Sequence, residues 1–360
     1  MTVRALSGTP RLTLALPAIA ALVAGVLCGL ARLGLPMPAA ISALAGVHGA
    51  LMTGGFFGTL IGLERAVALR RGWPYLAPAA SGLAALSLLG WPESSAAPWL
   101  MSAGALVMTL ACADVWRRQR AMHLATLAAA AMAWLLGNIA WLAGGAILPA
   151  VPLWTAFLIL TIAGERLELS RFVPTPQPAR WLFAAIVALM LASAVVHAAR
   201  GGALVAYALA LLLLAIWLLR FDIARRTVRT PGLTRYMALC LLSGYGWLGA
   251  SALLGLAGAL SADSPLRDAA IHTLMLGFVF AMVCGHAPVI GPALTRLKMR
   301  WHRGFYLPLG LLHATLLLRV LSAWQGGLPW RQWGAIGNAL ALTAFLALLL
   351  ESFWAARRTS

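Results

Sequence analysis

The chain has 360 residues, of which 62% are hydrophobic and only 10% charged, with a mean hydropathy of +0.89. That balance excludes a soluble globular domain and places the protein among polytopic membrane proteins. The formal charge of +18 comes from short basic clusters between apolar runs. This is the pattern of loops that orient a membrane protein, and nucleic acid is excluded as a partner on the same ground.

Taken in order, the apolar runs predict an all-α fold of twelve transmembrane helices forming a single transmembrane domain over 1–360. The spans fall at about 11–33, 40–63, 74–91, 97–116, 121–144, 148–169, 179–199, 202–221, 233–260, 268–294, 304–323 and 331–352. The first run lacks a small-residue cleavage pattern and reads as a retained helix. Connections are too short for a soluble domain.

Basic residues alternate between the two sides. Arg4 and Arg11; Arg65, Arg70 and Arg71; Arg117, Arg118 and Arg120; Arg166, Arg171 and Arg180; Arg220, Arg225, Arg226, Arg229 and Arg235; Arg296, Lys298, Arg300 and Arg303; and Arg357 and Arg358 share one side. The opposite loops hold only Arg32, Arg200, Arg267 and Arg331, with Glu93, Asp263 and Asp268. The positive-inside rule then predicts an inner (cytoplasmic) membrane protein with both termini cytoplasmic.

Trp73, Tyr75, Trp91, Trp99, Trp181, Trp301, Tyr306 and Trp330 lie near span ends and are expected to anchor at the interfaces. Gly54, Gly55, Gly58 and Gly62 in the second span either let helices approach closely or leave room for a flat cofactor. Cys28, Cys112, Cys240 and Cys284 show no metal or redox spacing and read as small buried side chains.

Histidine carries the chemistry. His123, His197 and His302 lie at span ends or in a loop, where imidazole is readily solvated. His48, His272, His286 and His313 lie inside spans two, ten, ten and eleven, where burial demands a partner. His48 and His272 fall at matched depth near the outer face, so they are candidates to bind one haem from opposite sides. Hydrogen-bonded core histidines are the alternative. His286 and His313 fall at similar depth in the inner half and are candidates for a second haem or a copper ion, or for a polar pair tying two helices together. On an unbroken α-helix the fourteen residues from His272 to His286 make about 21 Å of rise and about 40° of rotation, which would put both on one face.

Arg319, six residues beyond His313, is expected to snorkel outward or to meet a haem propionate. Glu64 and Glu165 are expected to form local ion pairs with Arg65 and Arg166. Pro288, two residues after His286, can kink its helix. No catalytic triad, central carboxylate pair, P-loop or dinucleotide fingerprint is present.

His272, Gly277 and Met282 in an H-x4-G-x4-M pattern, Gly285-His286 beyond it, His48 and Met52 in HGALM, and Arg319-Val320 resemble segments of the NnrS family of haem- and copper-containing membrane proteins. More distantly, histidines on spans two and ten resemble subunit I of the haem-copper oxidases. The resemblance implies a haem b held by His48 and His272, and electron transfer or a response to nitric oxide or redox stress. An electron-donor protein or quinol is the implied partner besides the lipid bilayer. Ala50 and Leu51 stand where the NnrS segment has a second histidine and an acid, and span ten lacks the oxidase HxH, so the resemblance does not extend to oxygen reduction. A proton-coupled small-solute transporter without haem is the rival reading, and a cofactor-free scaffold the third.

Overall fold

The protein is described from a computed structural model that covers residues 8–169, 173, 175–295 and 297–358. Arg4, Arg171 and Arg296 lie outside these residues, as do the side chains of Arg357 and Arg358. Among the described residues every regular element is helical and there is no strand. Among the described residues ten helices are long and apolar enough to cross a membrane: α1 (Gly8–Arg32), α2 (Ala45–Leu69), α4 (Ala96–Arg118), α5 (Met122–Gly144), α6 (Leu148–Leu169), α7 (Gln177–Arg200), α9 (Leu233–Leu256), α10 (Arg267–Thr295), α11 (Arg303–Trp324) and α12 (Leu328–Ala356). Two shorter helices, α3 (Leu76–Gly90) and α8 (Val205–Phe221), occupy the remaining predicted runs.

The surface is inverted relative to a soluble protein. Leu16, Leu110, Val196, Ile216, Leu253, Leu307 and Leu321 are all at least half exposed, an apolar exterior that only lipid tolerates at this density. Four buried hydroxyls are satisfied within their own helices: Ser81, Ser102, Thr109 and Thr161 each donate to the carbonyl four residues back. The fold is that of a helical membrane protein.

Within the one domain expected over 1–360, the residues form two compact units: Met1–Gly164 with Ala198–Gly201, and Glu165–His197 with Gly202–Ser360. In the first unit α1, α2 and α3 pack together, and α4 joins α3 to α5. The α2 glycines serve close approach: a Cβ on Gly55 would meet Ala21 at 2.9 Å, and one on Gly58 would run into the Trp134 ring. No space for a flat cofactor lies at those positions. Trp134 stacks on Phe157 at 5.1 Å, and buried Asn138 ties three helices by accepting from Trp154 Nε1 (2.9 Å) and donating to the Met101 carbonyl (3.1 Å). Gly145 ends α5 at φ +69, a left-handed turn that glycine adopts without steric penalty.

In the second unit α8 packs on α9, α9 on α10, and α11 on α12. Gly334 and Gly337 allow the last contact, since a Cβ on Gly334 would meet the Arg319 backbone at 2.8 Å. One pairing differs from expectation here. Arg166 pairs with Asp222, 56 positions away, through bonds of 2.8 and 3.2 Å, with the two side chains 4% and 0% exposed. A partner that also accepts the Ala224 N–H at 2.6 Å in a dry site outcompetes a neighbour on the same helix. Glu64 and Arg65 do approach to 3.8 Å as expected.

The aromatic belt also divides. Trp91, Trp99, Trp181 and Trp330 are more than 60% exposed and Trp73 39%, whereas Tyr75 is buried. Trp301 and Tyr306 pack edge-on against each other and, with Phe305, around buried Tyr236. The four cysteines are free and buried.

Candidate histidine sites

The two helices that carry His48 and His272 share an irregularity that hydropathy does not register. In α2 a 3-10 turn at Ala45–Val47 and a short α turn at His48–Ala50 lead into a π-helical stretch, Leu51–Gly58, before the α-helix resumes at Thr59. In α10 the α-helix Arg267–His272 gives way to a second π stretch, Thr273–Phe280, and resumes at Ala281. Eight-residue π runs are rare and concentrate at functional sites. At both junctions a threonine hydroxyl donates to a nearby carbonyl, Thr53 to Gly49 at 2.6 Å and Thr273 to Ala270 at 2.8 Å. The π stretch also changes the relation of His272 to His286. More residues per turn separate them, so the 40° offset of an unbroken α-helix does not hold.

His48 is half-buried, and its Nδ1 lies 2.7 Å from the Gly25 carbonyl of α1. A carbonyl only accepts, so Nδ1 carries the proton and Nε2 holds the lone pair in the neutral ring. Glycines on α1 make the seat: a Cβ on Gly29 would meet His48 Cε1 at 2.9 Å, and one on Gly25 would meet Met52 Sδ at 2.5 Å.

His272 has the same tautomer. Its Nδ1 donates to the Asp268 carbonyl at 2.8 Å, with Asp268 Oδ1 at 3.2 Å. Its Nε2 lone pair faces a cation, Arg319 Nη2, at 3.3 Å. Arg319 in turn grips both Asp268 oxygens, at 2.9 Å from Nε and 2.7 Å from Nη2. Its side chain is 6% exposed, so Arg319 does not snorkel; the acid one helix away holds it inside. These bonds use three of the five guanidinium N–H groups.

His286 repeats the pattern, with Nδ1 donating to the Met282 carbonyl at 2.8 Å. His313 reverses it. Trp247 Nε1 donates to His313 Nδ1 at 3.0 Å, which leaves the proton on Nε2, and Nε2 donates to Ser243 Oγ, also at 3.0 Å. Both ring nitrogens are therefore engaged within the protein. Gly277 makes this possible, because a Cβ there would collide with the Trp247 side chain. Met282 likewise sits in a notch at Gly244, whose Cβ would lie 2.8 Å from Met282 Cε.

Among the end-of-span histidines, His197 donates to the Gly202 carbonyl (2.8 Å), and His302 accepts the Gly304 N–H (3.1 Å) with Glu351 3.4 Å from its Nε2. No group of three or more His, Cys, Asp or Glu suited to a metal ion occurs among the described residues.

Sequence reasoning missed Asp268, Trp247 and Ser243. Asp268 had a signal, standing four residues before His272 and so on the same helical face. Trp247 and Ser243 lie on α9, 66 and 70 positions from His313, with nothing local to mark them.

These features define a polytopic helical membrane protein with histidines seated inside it. Residues 11–354 match the family model described as Domain of unknown function (DUF8744), and the chain belongs to that family. No curated protein matches it.

Proposed function

We propose that the chain is a haem b protein of the inner membrane, with twelve spans, cytoplasmic termini and a fold of the haem-copper oxidase subunit I kind. His48 and His272 are its iron ligands. The observation that carries the reading is the shared tautomer: both rings hold Nδ1–H on a main-chain carbonyl and so keep the basic lone pair on Nε2, the arrangement that orients imidazole for metal. The π stretches beside both residues, and the sequence resemblance to NnrS, support it further. Haem held by His48 and His272 would supply a one-electron couple.

The chain's own part is to hold the rings. Gly25 and Gly29 seat His48, and Asp268 fixes His272. Arg319 must release His272 Nε2 for iron, and it keeps two N–H groups for a propionate. Electron transfer in a nitric-oxide or redox stress setting follows, with a quinol or donor protein as partner. His313 is set apart by its tautomer, so a second haem or copper on His286 and His313 is not part of the proposal.

The test is an optical spectrum of protein purified from haem-replete membranes, with iron and copper analysis. A Soret band with sharp reduced α and β bands is expected, abolished in His48→Ala and in His272→Ala. Colourless protein, or a band that survives both substitutions, refutes the reading.

A second reading has its own observation. Asp268, Arg319 and His272 form a hydrogen-bonded ionisable cluster inside a membrane helix pair, the kind of group that couples protons to solute transport. Colourless protein with substrate-dependent proton uptake, lost in Asp268→Asn, would establish it.

A further inference from the structure

The connection between α10 and α11 has no regular secondary structure over 297–302. Met299 and Trp301 pack against the core around Tyr236, Cys240 and Phe305, while Lys298 and Arg300, which alternate with them, are exposed. The backbone is fastened by the Arg300 N–H, which donates to the Ser352 carbonyl of α12 at 3.3 Å. The alternation leaves the cations outward while the apolar side chains anchor the segment.

Beneath these cations is a cavity of about 410 Å³ lined by Arg300, His302, Leu348, Glu351 and Ala355. Its mouth is polar and one wall is apolar. Leu348, Glu351 and Ala355 share one face of α12, and the next face presents Leu350 and Trp354, 62% and 55% exposed, to the lipid. The cavity therefore opens beside the apolar exterior. His302 donates its Nε2–H to Glu351 as a neutral ring, so Glu351 keeps its charge and the three cations around it outnumber it. Lys298, Arg300 and exposed Arg303 are left as the local excess of charge.

We propose that this cavity binds the headgroup of an anionic phospholipid of the phosphatidylglycerol type. Arg300 meets the phosphodiester, Lys298 and Arg303 flank it, Glu351 accepts from headgroup hydroxyls, and an acyl chain runs down Leu350 and Trp354. A juxtamembrane cation is worth about fivefold in affinity for an anionic lipid, and three about a hundredfold.

The experiment titrates the detergent-purified full chain with dioctanoyl phosphatidylglycerol, dioctanoyl phosphatidylcholine and inorganic phosphate, reading melting temperature and bound lipid by native mass spectrometry. Phosphatidylglycerol is expected to bind and to raise the melting temperature, less so as salt rises. Arg300→Gln should weaken it about fivefold, and Lys298→Gln/Arg300→Gln/Arg303→Gln about a hundredfold. Ala355→Phe, which fills the cavity and keeps every charge, should block binding and thereby covers the case of a triple variant that folds poorly. Equal binding of phosphatidylcholine overturns the proposal, as does an equal response to phosphate, which would mark a soluble-anion site. Undiminished phosphatidylglycerol binding by either the triple variant or Ala355→Phe overturns it too.

Discussion

Asp268→Asn is the substitution that most directly probes how the second unit holds its inner polar groups. It removes the charge that faces Arg319 through bonds of 2.9 and 2.7 Å, and leaves a guanidinium 6% exposed with an amide in place of a carboxylate. Breaking a buried ion pair from one side costs about 3–5 kcal/mol, because the surviving charge stays desolvated. The Asp268 side chain is 23% exposed, so solvent screens part of that, and about 2–3 kcal/mol is expected. Removing both charges in Asp268→Asn/Arg319→Gln should recover most of the loss. The measurement is reversible unfolding in mixed micelles followed by tryptophan fluorescence, for wild type, both single variants and the double variant. A coupling of about 1.5 kcal/mol or more is expected from the cycle. Strictly additive losses, or an Asp268→Asn cost within about 0.5 kcal/mol of zero, would refute the claim that Asp268 is what holds Arg319 inside.

The same unfolding measurement checks three further expectations. Asp222→Asn should cost about 3–5 kcal/mol, more than Asp268→Asn, because both members of its pair are essentially dry; a smaller loss than Asp268→Asn would reverse the ranking. Gly58→Ala should cost about 1–3 kcal/mol, since Trp134, stacked on Phe157 and fully buried, cannot yield, whereas Gly54→Ala meets the flexible end of Met101 and should be near neutral. Equal effects would mean that α2 shifts as a body. His313→Phe should cost about 1–3 kcal/mol by stranding Trp247 Nε1, while Ser243 keeps its bond to the Leu239 carbonyl, and under the haem reading it should leave the Soret band intact. Loss of the band in that variant would return His313 to the ligand set.

The apolar runs gave the helices within a few residues, because hydropathy in a bilayer chain is nearly a direct readout of which segments bury their backbone bonds in lipid. The ten long helices coincide with predicted runs, whereas the runs at 74–91 and 202–221 hold helices of only 15 and 17 residues. Partners are another matter. Arg166 was expected to pair along its own helix and instead reaches Asp222, a choice made by the packing of elements distant in sequence. His313 looked like His286 in the sequence, each a lone imidazole in an apolar run, yet one donates to its own helix and the other is clasped by two side chains of α9. Glycine was the more readable signal, since Gly55, Gly58 and Gly334 each stand where another helix comes close. The π stretches left no trace, because Leu51–Gly58 and Thr273–Phe280 are uniformly apolar and their periodicity carries no contrast.

Those wide turns act as register shims. Each accommodates one more residue per hydrogen-bonded loop than the helix around it, so deleting a single residue from Leu51–Gly58 would let α2 relax toward an ordinary spiral with little loss of length. The portions before and after the deletion would turn relative to one another by well under the roughly 100° that the same deletion makes in a regular helix, because the residue removed is the one the wide turns take up. His48 would stay near the Gly25 carbonyl. The irregular stretch thus lets α2 carry an odd residue between its two parts without either part losing its neighbours.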